Sequence, residues 1–291
     1  MGGPASLTIR HKRSDRYKAE IVCGKVRDEL DGLEAKYSRY NSESLVSQIN
    51  RTGGSGTPIE IDEEMRGLLQ FCQQLHEQSD GLFDPTAGAL NAVWNFQEGR
   101  IDTPERLPEI LTAVGWQHVL ISHAGVYLSN ASTELDLGGL VKEFAVDLSV
   151  KTLRAAGFQN HIVELAGDVY ASGTSGDGQS WRIGISDPSD PDTAIKTLEL
   201  TDAALASSGS YQRFFTHDGK RYSHFLNPTT GRPVEGAISA SVVAESTLIA
   251  GAIATVACLQ GAREAETWLK KSGLPWLVID ESGHLHGPLA G

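Results

Sequence analysis

Three scarcities limit what this sequence can be. Its 291 residues contain only 3 cysteines, Cys23, Cys72 and Cys258, none of them in a CxxC pair or near a ligand-spaced histidine. We therefore expect buried reduced thiols rather than disulfides or a zinc site. Lys and Arg number 25 against 37 Asp and Glu, a net charge of -12, with no basic stripe for nucleic acid. No apolar run approaches the roughly 18 residues of a membrane-spanning helix.

The first residues also lack the marks of a signal peptide, because they show neither a basic stretch nor an apolar core. The sequence as written predicts a soluble acidic protein, with a removed leader as the alternative. Hydrophobic residues make up 40% and charged residues 21%, which excludes wholesale disorder. Glycine is abundant, with 31 residues, and that abundance is typical of a backbone that approaches a ligand closely.

Hydrophobic periodicity predicts groups of strands in meanders with helices inserted between the groups. This order favours an α+β fold with antiparallel sheets over a doubly wound parallel sheet. We expect a single large domain over residues 1–291, with a subdomain boundary near residue 130 as a further option. The helices are predicted at 16–37, 63–77, 104–114, 140–156, 247–259 and 262–272, and the strands at 6–9, 119–122, 125–128, 161–165, 169–172, 181–186, 196–200, 221–226, 240–244 and 276–280.

A carboxylate and two glycines precede the helix predicted at 140–156. In Asp136-Leu137-Gly138-Gly139-Leu140-Val141-Lys142, exposed N–H groups and the positive end of the helix dipole can hold a phosphate. Lys142 can neutralise the same anion. The alternative is an ordinary strand-to-helix turn capped by Asp136. No GxGxxG fingerprint occurs, so nothing supports a dinucleotide-binding oxidoreductase.

Two further segments carry polar groups at turns. Leu165-Ala166-Gly167-Asp168 ends a strand, where Asp168 either accepts hydrogen bonds from a ligand or fixes the turn. Residues 207–214 place the hydroxyl of Ser208 and the guanidinium of Arg213 on a flexible backbone. Such a segment suits a phosphate-bearing ligand, but an exposed β-turn has the same composition.

The histidine with the most informative surroundings is His224, in Ser223-His224-Phe225-Leu226-Asn227-Pro228-Thr229-Thr230-Gly231-Arg232-Pro233. It follows an apolar strand and precedes a loop shaped by Pro and Gly. His224 is therefore a candidate general base or substrate contact, or a packed structural residue. Neither HExxH nor GxSxG occurs, so a zinc protease and an α/β-hydrolase have no support.

Other stretches accompany these segments in chain order. They are Met1-Gly2, residues 37–44 with Ile49-Asn50, Gly81-Leu82-Phe83-Asp84-Pro85-Thr86-Ala87-Gly88, Val93-Trp94-Asn95-Phe96, residues 136–147 and Trp181-Arg182-Ile183-Gly184-Ile185-Ser186-Asp187-Pro188. Taken together and in order, they cover essentially the whole chain. The sequence resembles the ApbE family, the FAD:protein FMN transferases.

The resemblance implies a T-fold-related transferase that uses FAD and Mg²⁺. Such an enzyme moves FMN through a phosphoester bond onto a Ser or Thr hydroxyl of a target flavoprotein and releases AMP. The resemblance places His224 near the reacting pyrophosphate, as the catalytic residue, and makes the carbonyl of Gly139 a metal ligand. It also implies a set of FAD-binding residues, namely Met1, Tyr40, Trp94, Asn95, Phe96, Asp136, Lys142, Asp168, Ser208 and Arg213.

The sequence departs from the family at the metal site. The family's helix carries Asp-Ala-x-Ala-Thr, with the Asp and Thr on one face. Here Ala250-Gly251-Ala252-Ile253-Ala254-Thr255 keeps Thr255 but has Gly251 at the position of the metal-binding Asp. Losing an anionic oxygen ligand should weaken Mg²⁺. We therefore predict weak metal binding at the position formed by Gly251, Thr255 and Gly139, strengthened by FAD phosphate oxygens.

Candidates for the missing ligand are Asp202, Glu245 and a phosphate-bound water. On this basis Gly251→Asp is expected to tighten the binding of Mg²⁺.

A second departure is Glu143, which stands where the family usually has Gly. Glycine inside a helix costs about 1 kcal/mol relative to Ala. Gly251 therefore indicates either a close approach of another group or a lost ligand.

Three functions remain open from the sequence. The first is an active FMN transferase with a modified metal site, whose partner is a target flavoprotein that carries an acceptor Ser or Thr. The second is a non-catalytic FAD-binding protein, and the third is an FAD pyrophosphatase on the same scaffold. We expect no nucleic-acid partner. The expected location is the cell envelope after removal of a leader, with the cytoplasm as the alternative.

Overall fold

The computed structural model describes residues 3–211, 213–235 and 239–291. The helices in these ranges are α1 (Arg16–Tyr37), α2 (Leu45–Asn50), α3 (Glu63–Gln78), α4 (Leu107–Leu111), α5 (Val141–Ala155) and α6 (Thr247–Ser272). The strands are β1 (Ala5–Ile9), β2 (Trp94–Asn95), β3 (Arg100–Ile101), β4 (Val119–Ser122), β5 (Gly125–Leu128), β6 (His161–Leu165), β7 (Asp168–Ser172), β8 (Trp181–Asp187), β9 (Asp190–Leu200), β10 (Ala203–Gly209), β11 (Phe214–His217), β12 (Lys220–Ser223), β13 (Ser239–Ala244), β14 (Trp276–Ile279) and β15 (Leu285–His286).

Seven strands form the central sheet, in the order β1-β6-β7-β10-β13-β14-β15. Every neighbouring pair in it is antiparallel. The remaining strands pair as the hairpins β2–β3, β4–β5, β8–β9 and β11–β12. Strands β7, β10 and β13 are the three middle strands of the sheet, and most of their side chains are buried.

The two faces of the sheet are separated by the alternation of side chains along each strand. Tyr170, Ala204 and Ala206 face the larger core, which α1, α3, α5 and α6 complete. Val169 and Leu205 face the opposite side, where they pack against the β8–β9 hairpin. A third apolar cluster lies outside the sheet and joins residues 89–113 to Phe215 of β11. The site residues described below lie mainly on the helical face.

Helix α6 packs on the two middle strands through small side chains. Ala204 and Ala206 of β10 and Ala240 of β13 are fully buried, and so are Ala250 and Ala254 of α6. Small residues on both surfaces let the helix backbone approach the sheet closely. Side chains on the inner face of α6 are therefore held against β10 within a narrow range of positions.

The structure confirms the predicted α+β class and most of the predicted elements. Helix α1 has the predicted bounds, and Asp62 accepts the capping hydrogen bond from Met65 N–H at the start of α3. Gly157 follows α5 with a φ of 87°, as expected for a residue that ends a helix. The large core includes residues from both sides of position 130. The subdomain boundary near residue 130 stays a prediction.

Several elements differ from the sequence prediction. The short elements α2, β2, β3, β11 and β15 were not predicted, β9 begins at Asp190 rather than at residue 196, and the helix predicted at 104–114 is reduced to α4 (Leu107–Leu111). Strand β10 was not predicted, because residues 203–209 contain only Ala, Leu, Ser and Gly. The two helices predicted at 247–259 and 262–272 are confirmed as the two halves of α6, because Gly261 between them has a non-helical φ of 74°. Strand β12 ends at Ser223, so His224 lies just beyond it.

The three thiols are free. Cys72 and Cys258 are buried, as predicted, whereas Cys23 is half-buried. Burial raises the pKa of the Cys258 thiol to about 12, so this group stays protonated at neutral pH. No helix among the described residues is long and apolar enough to cross a membrane.

A buried neutral histidine lies in the sheet core. His161, at the start of β6, is fully buried, and its Nδ1 lies 3.0 Å from the carbonyl oxygen of Phe158. Because a carbonyl only accepts, this hydrogen bond assigns the proton to Nδ1. Burial lowers the pKa of His161 to about 4, below the value of about 6.5 that an unfolded chain would have.

We predict that the free energy of unfolding falls as the pH is lowered from about 6.5 towards 4. In this window the unfolded state binds a proton that the folded state does not, so acid favours unfolding by at most about 1.4 kcal/mol per pH unit. His161→Asn keeps a donor near Phe158 but cannot titrate, so urea unfolding of this variant should depend less on pH. The matched control is His123→Asn in the exposed β4–β5 turn. Parallel pH curves for wild type and His161→Asn would contradict the prediction.

Candidate functional site

A buried ion pair lies where α5 meets the edge of β7. The Nζ of Lys142 is 2.6 Å from Oδ2 of Asp168, and Asp168 Oδ1 accepts a hydrogen bond of 3.0 Å from the Ser207 N–H. The side chain of Asp168 is 1% exposed and that of Lys142 is 25% exposed. Burial alone would lower the pKa of Lys142, but the carboxylates of Asp168 and Glu143 outweigh it and raise the pKa. Lys142 therefore remains a cation at the mouth of the site.

The turn before α5 is held by backbone hydrogen bonds and by one close glycine contact. Asp136 Oδ1 accepts from the Gly138 N–H at 2.8 Å, and the Asp136 N–H donates to Pro85 O at 2.9 Å. A Cβ on Gly88 would lie 2.5 Å from Glu134 O, so only glycine fits there. The loop at residues 81–88 thus fixes the entry to α5 and brings Phe83 beside Gly139. Asp136 therefore stabilises the turn ahead of α5 but does not cap the helix, whose N-cap is Leu140 without a side-chain hydrogen bond.

An arginine that the sequence analysis did not single out organises the other side of this turn. Arg39 Nε lies 3.2 Å from Asp136 Oδ2, and its Nη1 lies 3.3 Å from Glu134 Oε1. The same guanidinium donates to Tyr40 OH at 3.3 Å and lies 4.7 Å from the centre of the Tyr40 ring. Tyr40 is 64% exposed. Its ring is therefore held at the surface beside Asp136, available to stack on a planar ligand.

Helices α5 and α6 approach each other at Gly251. A Cβ on Gly251 would lie 2.5 Å from Cγ and 3.1 Å from Cδ of Glu143. The space that a side chain at 251 would occupy is filled by the Glu143 side chain. One turn later on α6, Thr255 Oγ1 lies 3.0 Å from Ser208 Oγ of β10. Gly251 is therefore explained by a close approach.

The Glu143 carboxyl is buried and incompletely paired. The residue is 4% exposed, and Lys142 Nζ lies 3.7 Å from Oε1. Oε2 is buried and has no hydrogen-bond partner among the described residues. Burial raises the pKa of Glu143 to about 8, although Lys142 opposes this shift. The sequence signalled this residue only as a departure from the family pattern.

The two carboxylates suggested as substitutes for the missing ligand do not lie at this position. Asp202 pairs with Arg154 and accepts from the Gly173 N–H at 3.0 Å. Arg154 is near the carboxyl end of α5, about 18 Å along the helix axis from Lys142. The suggestion of Asp202 is therefore wrong. Glu245 is exposed at the end of β13, before α6 begins.

His224 is held as a neutral imidazole beside positive charge. Both its backbone N–H and its Nδ1 lie within hydrogen-bond distance of Arg213 O, at 3.1 and 3.0 Å. Since that oxygen only accepts, Nδ1 carries the proton and Nε2 is the acceptor. Burial, together with the charges of Arg213 and Lys142, lowers the pKa of His224 to about 4. The imidazole is therefore an uncharged acceptor at neutral pH.

Aromatic side chains surround the β11–β12 hairpin. Phe96 lies 5.3 Å from Phe215, measured between ring centres, and the Arg213 guanidinium lies 6.0 Å from the Phe96 ring. Trp94 is 7% exposed, and its Nε1 donates to Gly231 O at 2.6 Å. Trp94 therefore has a structural hydrogen bond in addition to its predicted role.

The Asn95 side chain makes its hydrogen bonds within the β2–β3 hairpin. Its side-chain oxygen accepts from the Glu98 N–H at 3.0 Å, and its amide nitrogen lies 3.4 Å from Asp102 Oδ2. A cavity of about 260 Å³ lies next to this hairpin, lined by residues that include Trp94 and Tyr222. A wider groove of about 510 Å³ lies between β1 and α1 and contains none of the predicted site residues.

The structure arranges the predicted site residues in three neighbourhoods. Lys142, Asp168, Ser208, Gly251 and Thr255 lie around the start of α5 and the inner face of α6. Tyr40, Asp136 and Gly139 lie at the turn before α5. Phe96 and Arg213 lie together, and Arg213 contacts His224. Met1 lies outside the described residues. The roles given to these residues stay predictions.

The donors beside Glu143 fit a hard cation of the kind that the family resemblance implies. Glu143 offers a carboxylate with one unpartnered oxygen, and Thr255 offers a hydroxyl. Magnesium is usually held by one or two carboxylates together with substrate phosphates and water. No group of three or more His, Cys, Asp or Glu side chains that could hold a metal occurs in the described part of the chain. The site therefore fits a cation that shares its ligands with a bound phosphate.

We predict that the effect of Gly251→Ala on the free energy of unfolding changes sign with the residue at position 143. Ala is favoured over Gly in a helix by about 1 kcal/mol, but overpacking a core costs about 1–3 kcal/mol. In wild type the added Cβ meets Glu143, so Gly251→Ala should lower the free energy of unfolding by roughly 1–2 kcal/mol. In a Glu143→Ala background it should raise that energy by up to about 1 kcal/mol.

Urea unfolding of the four proteins measures this coupling. The control is Gly67→Ala in α3, an exposed helix position where a Cβ meets nothing within 4 Å. Gly67→Ala should stabilise in both backgrounds. A stabilising Gly251→Ala in the wild-type background would show that the contact with Glu143 does not constrain position 251.

The comparisons with known proteins agree with this geometry. The ApbE family model matches residues 1–278. The FAD:protein FMN transferase of Vibrio cholerae is 31% identical over 258 residues, spanning 86% of this chain and 76% of that protein. The FAD:protein FMN transferase of Chlamydia trachomatis is 34% identical over 263 residues, spanning 87% of this chain and 80% of that protein.

Solved structures match over the whole chain. The flavin transferase ApbE from Vibrio cholerae superposes with a TM-score of 0.87 at 25% identity, covering 100% of this chain and 95% of that one. The ApbE protein from Thermotoga maritima also gives a TM-score of 0.87, at 27% identity, covering 98% and 94%. The predicted fold class and family are confirmed, and the names of the relatives agree with the predicted transferase activity. The chain belongs to the ApbE family.

Proposed function

We propose that this protein is an FAD:protein FMN transferase. It moves the FMN part of FAD onto a Ser or Thr hydroxyl of a target flavoprotein through a phosphoester bond. The proposal is supported by the names of the relatives across most of the chain. Within this chain, the proposal rests on the ion pair between Lys142 and Asp168 at the start of α5. The Lys142 charge also lowers the pKa of His224.

Lys142 binds the pyrophosphate of FAD in this proposal. Asp168 holds the ammonium at 2.6 Å and fixes its position at the first turn of α5, where the helix dipole also favours an anion. Because Asp168 is buried and is itself held by Ser207, the ammonium is preorganised before the substrate arrives. Preorganised positive charge lowers the barrier for reactions in which phosphate oxygens gain charge.

His224 accepts the proton of the acceptor hydroxyl. The hydroxyl oxygen forms a bond to the phosphorus of the FMN phosphate, and the bond from that phosphorus to the bridging oxygen breaks. AMP leaves with the bridging oxygen, and the hydroxyl proton passes to Nε2 of His224. The hydrogen bond from Nδ1 to Arg213 O orients the ring for this role.

The ring systems of FAD meet aromatic and cationic surfaces. Tyr40 presents an exposed ring that Arg39 holds in place, and Phe96 lies beside Arg213. A planar isoalloxazine or adenine can stack on either surface. A bound Mg²⁺ would neutralise charge on the pyrophosphate, and Glu143 and Thr255 are the side chains that would hold it.

The proposed function predicts a mass gain of one FMN on an acceptor protein. The protein is incubated with FAD, Mg²⁺ and a candidate flavoprotein domain, and the acceptor is analysed by intact mass spectrometry. A variant of the acceptor with its Ser or Thr replaced by Ala is the control, and it should gain nothing. FAD alone should raise the melting temperature of the enzyme, because a ligand selective for the native state stabilises it.

The same experiment separates the alternatives. Release of free FMN and AMP without a mass gain on any acceptor would favour an FAD pyrophosphatase. A melting-temperature shift with FAD, but no turnover with a panel of acceptors, would favour a non-catalytic FAD-binding protein. No shift with FAD and no turnover would contradict every one of these functions.

We predict that His224→Ala lowers FMN transfer by about 10²-fold or more, because a positioned general base typically contributes 10²–10⁴-fold. FAD binding should change little, since the pyrophosphate contact is made by Lys142. The control is His217→Ala, a half-exposed histidine on the neighbouring β11. Wild-type transfer rates in folded His224→Ala protein would remove His224 from the mechanism. A loss of activity that tracks a lower melting temperature would make the residue structural.

A further inference from the structure

The contact between α5 and α6 has an unusual arrangement of a carboxylate and a glycine. Glu143 projects from α5 into the space beside Gly251 of α6, with its Cδ 3.1 Å from where a Cβ of residue 251 would lie. At the same two positions the sequence departs from the family pattern, since a glycine is expected at 143 and an aspartate at 251. The carboxylate missing from α6 is thus present on the facing helix.

One oxygen of this carboxylate has no partner. Glu143 Oε2 is buried and accepts no hydrogen bond from any described residue, and the neighbouring Asp168 carboxylate cannot donate one when it is ionised. The nearest cation, Lys142, lies 3.7 Å from the other oxygen and is already held by Asp168 at 2.6 Å. A buried carboxylate oxygen without a partner is costly and indicates a group that is completed by a ligand.

Hydroxyl groups that suit a hard cation lie one helical turn from the Glu143–Gly251 contact. Thr255 follows Gly251 by one helical turn on the same face of α6, and its hydroxyl meets Ser208 at 3.0 Å. Glu143 beside Gly251, and Thr255 one turn further along α6, supply oxygen donors of the kind that a hard cation binds. Magnesium and manganese are the divalent cations that such a set, completed by phosphate and water, selects.

We propose that Glu143 is the carboxylate ligand of a divalent cation in this protein, acting from α5 in place of a residue at 251, with Thr255 as a second ligand. Gly251 is required because any side chain there would displace Glu143. The proposal rests on the proposed function only for the phosphate that completes the coordination. It also revises the expectation that Gly251→Asp tightens Mg²⁺, because the new Cβ would lie 2.5 Å from Glu143 Cγ.

Binding of Mn²⁺, followed by electron paramagnetic resonance with and without FAD, tests the proposal without any acceptor. Mg²⁺ should compete for the same site. Glu143→Gln keeps the shape of the side chain and removes its charge, and it should raise the Mn²⁺ dissociation constant at least tenfold in the presence of FAD. Glu29→Gln is the matched control, because Glu29 packs against the other end of α5 through Thr152 and should leave the constant unchanged.

A double variant moves the carboxylate back to α6. Glu143→Gly combined with Gly251→Asp clears the space beside residue 251 and should restore Mn²⁺ affinity to within about threefold of wild type. Gly251→Asp alone should bind Mn²⁺ more weakly than the double variant. If Glu143→Gln fails to fold, Glu143→Ala removes the same carboxylate and leaves room for water. Melting temperatures in EDTA establish which variants are folded.

Two outcomes overturn the proposal. One is wild-type Mn²⁺ affinity in a folded Glu143→Gln or Glu143→Ala protein, and the other is no Mn²⁺ binding by wild type with FAD present. The outcome for FMN transfer is separate. Weakened Mn²⁺ binding in Glu143→Gln supports the metal proposal even where wild type transfers no FMN to any acceptor, and in that case only the proposed function fails.

Discussion

The close packing of α6 on β10 and β13 is the constraint on which the site depends. Fully buried alanines on both surfaces, such as Ala206, Ala240 and Ala254, bring the helix backbone against the sheet. This contact places Thr255 beside Ser208 and leaves Gly251 facing α5. Close-packed interiors respond to a change of one methylene. Larger side chains at these alanines would therefore displace the site residues as well as the core.

The charges of the site are arranged around one partly exposed cation, Lys142. Asp168 and Glu143 are almost fully buried, and Lys142 is the member of the group that reaches solvent. A ligand with negative charge therefore meets Lys142 first, while the acids behind it keep the ammonium protonated and in place. The same positive charge helps to hold His224 neutral. Lys142 thus contributes both to substrate binding and to keeping His224, the proposed base, neutral.

The sequence predicted those parts of the fold that have strong local signals. The bounds of α1 follow from its apolar spacing, and the start of α3 follows from the Asp62 cap. Strand β10 could not be predicted, because its alanines and serines have low strand propensity and are selected for the contact with α6. Arg39 was missed for a similar reason. The role of Arg39 depends on its ion pairs with Glu134 and Asp136, and only the folded chain brings these residues together.

The two departures from the family pattern could be read from the sequence, but their relation could not. Positions 143 and 251 are far apart in the chain, and only the departure at 251 indicated a weakened metal site. The structure shows that the side chain of one occupies the space left by the other. A glutamate at 143 with an aspartate at 251 would crowd two acids into one buried space, and glycine at both would leave a void. Glutamate at 143 with glycine at 251 avoids both the crowding of two acids and the void. The two positions are therefore expected to change together rather than one at a time.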